Sequence, residues 1–207
     1  MTKFDTEYWM TIDGRSESAA QTLPVFNPAT RSEFARVPDA TRPQLDQAVA
    51  AARRAFNSWS VSTLETRRRA LNAIADIVEA NVEDLIALLT REQGKPRDGA
   101  EWEVRGSSVW CREIAKQSLP DEIVEDTPDR RVITRFSPLG VVGGIVPWNF
   151  PILIAIWKDC SGADGRKYHH HQAFAVHAAV HAQARSAVCA GATAGCVQRG
   201  VRRRRAG

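Results

Sequence analysis

The chain has 207 residues, 43% of them hydrophobic and 25% charged, which is ordinary globular composition and room for one large or two small domains. The opening MTKFDTEYW has neither the basic region nor the apolar core of a signal peptide, and the four cysteines, at 111, 160, 189 and 196, show no metal-ligand spacing. A reducing cytoplasm is the simplest setting, and no metal site is expected. The formal charge of +4 hides a split: eight basic residues against Asp159 and Asp164 give the stretch from 159 onward +6, so the chain up to Lys158 carries −2.

The first 40 residues read as short strands and turns. Tyr8 to Ile12 form a strand, Asp13-Gly14 a two-residue hairpin turn, and a second extended run leads through Val25 and Phe26 into Asn27-Pro28. Three helical segments follow. Thr41 can cap the first, whose Leu45, Ala48, Val49, Ala52 and Phe56 recur at helical spacing. Ser62 and Glu65 suit a capping box for the second, with Leu64, Leu71, Ile74, Ala75 and Val78 on one face. Asn81 restarts it, Leu85, Ile86, Leu88 and Leu89 continue the apolar face, and Gly94 and Pro96 stop it. The third helix spans about Asp98 to Gln117 and presents Trp102, Val109, Trp110 and Ile114, with Cys111 as packing. The Arg67-Arg68-Arg69 run is expected to be a solvated helix face, and neither Glu92 nor Lys95 is given catalytic weight.

A polar connection with Pro120 and Pro128 then leads into RVITRF, which alternates like a strand. Next comes PLGVVGGIVPWNFP, from Pro138 to Pro151. Val141, Val142, Ile145 and Val146 supply the β-branched content of a buried parallel strand, and Gly140, Gly143 and Gly144 let a ligand or another backbone come close. Pro147 ends the strand. Trp148 and Asn149 are a flat aromatic surface and a neutral amide, and Pro151 opens an apolar helix through Ile152, Leu153, Ile154, Ile156 and Trp157. A strand, a sharp turn and a helix build cofactor crevices at the carboxyl ends of parallel strands. Two prolines and an asparagine in the middle of the apolar run argue against a membrane span.

The Pro147-Trp148-Asn149-Phe150-Pro151 segment closely resembles the NAD(P)-dependent aldehyde dehydrogenases, and the FNPAT segment at Phe26 to Thr30 and EQGKP at Glu92 to Pro96 resemble the same family. The resemblance extends from about Tyr8 to Lys158. It implies an α/β fold: the incomplete N-terminal part of a Rossmann-type NAD(P)-binding domain over residues 1–158. It implies that Ile145, Val146, Pro147 and Trp148 lie along the nicotinamide ribose of NAD or NADP. Asn149 would donate its amide to the oxyanion formed when a thiolate adds to an aldehyde. Residues 119–137 would be a β arm that helps to assemble a homo-oligomer.

From Asp159 to Gly207 the chain lacks Leu, Ile, Met, Trp, Pro, Glu and Asn, while all five histidines appear. A break this sharp inside a helix suggests a changed reading frame. With one base skipped at Asp159, Lys167 permits only Asn or Ser, Gln172 only Lys or Arg, and His171 only Ile or Thr, limits that admit the family's Gly-Asn-Thr and Lys-Pro-Ser patterns. The cofactor-binding lysine after the second strand exists only in that shifted frame, and the nucleophilic cysteine and general-base glutamate of the family fall beyond Gly207. The expectation is therefore an inactive, truncated chain whose 159–207 stretch is disordered or weakly helical and lacks the large apolar residues that offset chain entropy. Zinc binding by the His177/His181 pair is disfavoured for want of further paired ligands. Arg202 to Arg205 could contact phosphates, so the alternative is a protein without catalysis that oligomerises or binds nucleic acid or an anionic surface through its basic tail, although nucleic acid is not the expected partner.

Overall fold

The computed structural model describes residues 8–118, 120–138, 140–163 and 171–174. Strands β1 (Met10–Ile12) and β2 (Arg15–Glu17) pair antiparallel across Asp13 and Gly14. Both turn residues have positive φ, 54° and 74°, the left-handed pair that a two-residue hairpin with the right twist demands. Strands β3 (Thr22–Phe26) and β4 (Glu33–Pro38) make a second antiparallel pair. Asn27 shapes the loop between them, its Oδ1 accepting Ala29 N–H at 2.9 Å and its carbonyl accepting Arg31 N–H at 2.7 Å.

Helix α1 (Arg42–Trp59) opens with Thr41 and Gln44 in a reciprocal capping box, which satisfies two of the free N–H groups at the helix start. Helix α2 (Leu64–Ala80) is capped by Thr63, which accepts Thr66 N–H at 3.1 Å. The expected Ser62/Glu65 box does not form, because Ser62 donates its hydroxyl to the Trp59 carbonyl at 2.7 Å. Arg67 also departs from the solvated face expected of it. It is 7% exposed and donates to Ser62 Oγ and to the carbonyls of Trp59 and Ser60, the open acceptors where α1 ends. Asn81 sits between α2 and α3 (Val82–Gln93), its amide turned back onto the Ile77 carbonyl at 2.7 Å. Gly94 ends α3 in the left-handed conformation, φ 70°, and an added Cβ there would lie 2.9 Å from Pro28 Cγ. The αL position and the close approach both select glycine.

Helix α4 (Arg97–Lys116) buries a different face from the one its aromatic residues suggest. Ala100, Glu103, Val104, Ser107, Ser108, Cys111 and Ala115 point inward, whereas Trp102 is 62% exposed and Val109 and Trp110 also remain on the surface. The inward set recurs at helical spacing and is small, so α2 and α5 can approach α4 closely. Arg112 ties α4 to α2 by reaching Asp76 at 2.8 Å and Glu79 at 2.6 Å. One core joins Leu71, Ala75 and Val78 of α2, Leu85, Ile86, Leu88 and Leu89 of α3, Val104 of α4 and Val25 and Val37 of the second hairpin. A smaller cluster packs Ile12 on Ala48 and Leu45 of α1.

Strands β5 (Glu122–Asp126) and β6 (Arg131–Thr134) form an exposed antiparallel hairpin. Then β7 (Val141–Ile145), α5 (Pro151–Ala163) and β8 (His171–Phe174) make a β-α-β unit in which β7 and β8 run parallel. The parallel pairing is as expected, but β7 is only partly buried: among the described residues β8 is its one hydrogen-bonded neighbour. Helix α5 continues past Lys158 to Ala163, and β8 is a strand in the stretch expected to be disordered or weakly helical. The unpaired edge of β7 supplies the template for it. His177, His181 and Arg202 to Arg205 lie outside the described residues. Among the described residues no helix is long and apolar enough to cross a membrane, and no group of three or more His, Cys, Asp or Glu could hold a metal.

Candidate functional site

Residues 146–150 form the turn between β7 and α5, at the carboxyl end of a parallel strand. Ile145 is 80% and Trp148 70% exposed, and Pro147 and Asn149 are exposed beside them. Val146 is buried, so of the five residues singled out in the sequence it alone turns its side chain inward. The other four side chains are open to solvent: an aliphatic side chain, a proline ring, an indole and a primary amide. Such a surface has no charge of its own. It can lie against a planar aromatic or sugar ring, and the Asn149 amide can donate to an oxygen carrying developing negative charge.

The turn is held from behind by side chains to which the sequence reading gave no role. Glu103, fully buried on α4, accepts the backbone N–H of Ile152 at 2.8 Å and of Leu153 at 3.2 Å. These are first-turn N–H groups of α5, which have no partner within their own helix, and a carboxylate there also meets the positive end of the helix dipole. Its other oxygen pairs with Lys95 Nζ. The same ammonium donates to the Asn149 carbonyl at 2.7 Å and lies 4.2 Å from the centre of the Phe150 ring. Gln93 Nε2 donates to the Trp148 carbonyl. Trp102 stacks edge-on against Phe150, ring centres 5.9 Å apart.

The EQGKP segment thus does more than end a helix. Gly94 turns the chain so that Gln93 and Lys95, on either side of it, take the carbonyls of Trp148 and Asn149. Lys95 and Glu103 were the residues missed. The available signal was a glutamate among the small residues of α4, on the same helical face as Ala100 and Ser107, where a buried carboxylate demands a cation. Neither described cysteine faces the turn's open surface, since Cys111 and Cys160 are buried against each other between α4 and α5.

Comparison with known proteins agrees with this architecture. The aldehyde dehydrogenase family's sequence profile matches residues 15–161. A probable aldehyde dehydrogenase of a Pseudomonas species is 40% identical over 170 residues, which are 82% of this chain and 35% of that protein. The 3-sulfolactaldehyde dehydrogenase of Pseudomonas putida is 41% identical over 145 residues, 68% of this chain and 30% of its own length. Among solved structures, the NAD+ complex of an aldehyde dehydrogenase from Bacillus cereus superposes with a TM-score of 0.85 at 26% identity, covering 95% of this chain and 42% of that one. The chain therefore spans well under half the length of these relatives. On the profile match, the identity and the shared fold together, the chain belongs to the aldehyde dehydrogenase family.

Proposed function

We propose that residues 8–158 are the nicotinamide-facing part of an enzyme that oxidises an aldehyde to a carboxylic acid with NAD+ or NADP+. The observation that carries this reading is the open, uncharged surface of Ile145, Pro147, Trp148 and Asn149 at the carboxyl end of β7, braced by Lys95 and Glu103. A bound nicotinamide cofactor would accept the hydride. Ile145, Pro147 and Trp148 would lie along its ribose, Val146 contributing backbone alone because its side chain is buried. Asn149 would donate its amide N–H to the oxyanion that forms when a thiolate adds to the aldehyde, stabilising charge without supplying a proton. The Lys95 ammonium on the Asn149 carbonyl fixes the backbone from which that amide projects.

We further infer that these 207 residues alone do not turn over aldehyde. The two described cysteines are buried together, so neither offers a thiolate beside Asn149. The family match ends at residue 161, three residues after Lys158, which supports a changed reading frame from Asp159 onward. Ile123, Val124, Val132 and Ile133 are exposed on the β5–β6 hairpin, which fits an arm that packs on another subunit.

The test is to remove one base at codon 159 of the coding sequence and express the product of the reopened frame. Aldehyde-dependent reduction of NAD+ or NADP+ is expected, and Asn149→Ala should lower kcat by about 10²- to 10³-fold, the range for losing one oxyanion donor. A reopened frame that yields no dehydrogenase, or an Asn149→Ala variant with unchanged kcat, overturns the assignment.

A further inference from the structure

Two thiols on different helices meet in the core. Cys111 of α4 and Cys160 of α5 are fully buried, with Sγ atoms 3.1 Å apart and one sulfur donating to the other. They are 49 residues apart in sequence, so the fold alone brings them together. Each lies in an ordered helix whose position is fixed by its neighbours: α4 by Arg112 on Asp76 and Glu79, and α5 by Glu103 on its first-turn N–H groups. Sulfur atoms in van der Waals contact need a shift of about 1 Å to reach bonding distance.

We propose that Cys111 and Cys160 are a modification site, an oxidisable dithiol that a hydroperoxide converts to a disulfide linking α4 to α5. One thiolate attacks a peroxide oxygen and the O–O bond breaks, leaving a sulfenic acid and, with hydrogen peroxide, hydroxide that takes up the thiol proton as water. The second thiol attacks the sulfenic sulfur, the S–O bond breaks, a second water leaves and the S–S bond forms. The two sulfurs together lose two electrons and the peroxide gains them.

Access comes from the end of α5. Cys160 lies in the last described turn of α5, so local opening of that turn admits a small oxidant to the pair. In the closed core the hydrogen bond with Cys111 and then burial push the Cys160 thiol well above its ordinary value, so attack on a peroxide waits for that opening. Cys189 and Cys196 are the chain's other thiols, so any test has to tell four positions apart.

The experiment treats the full native chain with hydrogen peroxide, blocks remaining thiols with N-ethylmaleimide under denaturing conditions and maps the peptides by mass spectrometry. A linked Cys111–Cys160 peptide, two hydrogens lighter than the sum of its parts and split by dithiothreitol, is expected. In a urea-unfolded sample the same treatment should spread the links over the other pairs of the four cysteines, because only the fold holds these two sulfurs at high effective concentration. The Cys189→Ser, Cys196→Ser double variant should give the same link. Recovery of Cys111 and Cys160 as free thiols, as sulfinic acids or joined to Cys189 or Cys196, or the same mixture of links in native and unfolded chains, overturns the proposal.

Discussion

The helical layer and the turn between β7 and α5 both carry large apolar side chains, yet these end in opposite states. Leu85, Ile86, Leu88 and Leu89 of α3 are wholly inside, covered by α2, α4 and the β3–β4 hairpin. Ile145 and Trp148, only a few ångströms of chain from the buried Val146 and Ile152, stand in solvent. The first region closes on itself, since the inward faces of α2, α3 and α4 meet in one core. The second keeps its shape through polar bracing instead: Glu103, Lys95 and Gln93 supply donors and acceptors to a turn whose apolar side chains stay free. A surface kept apolar and rigid at the end of a parallel strand is what a planar ligand needs.

Breaking the brace should produce the largest effect. Glu103→Ala leaves the Lys95 ammonium, 14% exposed, without its carboxylate and two buried N–H groups of α5 without an acceptor. Truncating one partner of a buried, hydrogen-bonded ion pair costs about 3–5 kcal/mol. The urea midpoint should fall accordingly. Glu103→Gln keeps an oxygen for the α5 N–H groups and should recover part of the loss. Equal midpoints for Glu103→Ala and the parent chain would mean that the turn is held by its apolar neighbours.

Sequence reasoning reached the features that are local. Asp13-Gly14, the Thr41 cap and the Gly94 stop each depend on a few neighbouring residues, the first and last on positive φ values that few residue types adopt and the cap on a side-chain oxygen. The turn between β7 and α5 was legible too, because Pro147 ends the strand and Pro151 opens the helix. The face that α4 buries was not. Helical spacing says which residues share a face but not which face turns inward, and tryptophans at 102 and 110 outweigh alanine and serine on any hydrophobic count. Burial here follows the need of α2 and α5 for close approach, which is a property of three helices together. Arg67 and Glu103 were missed alike, because a charged residue is buried only when distant backbone groups are there to receive it.

A smaller effect should follow from the glycine that brings the EQGKP segment against the turn. Gly94→Ala puts a Cβ into the left-handed region and 2.9 Å from Pro28 Cγ. The backbone penalty alone is about 1–2 kcal/mol. If Gly94 also aims Gln93 and Lys95, the amide protons around Trp148 and Asn149 should exchange faster in this variant than its global loss of stability explains. Exchange that rises uniformly across the chain would reduce Gly94 to an ordinary helix stop.

The smallest effect should come from the most exposed aliphatic residue of the candidate site. Ile145 is 80% exposed, so Ile145→Ala removes side-chain atoms that touch mostly water, and its stability change should stay within about 0.5 kcal/mol. In the product of the reopened frame the same substitution should instead raise KM for the nicotinamide cofactor, because the contact it removes would be made only with that ligand. A residue that is silent in the chain alone and costly in cofactor binding separates a surface held open for a ligand from one that is merely uncovered. A large stability loss for Ile145→Ala in the chain alone would place Ile145 in the core and collapse the contrast between the two regions.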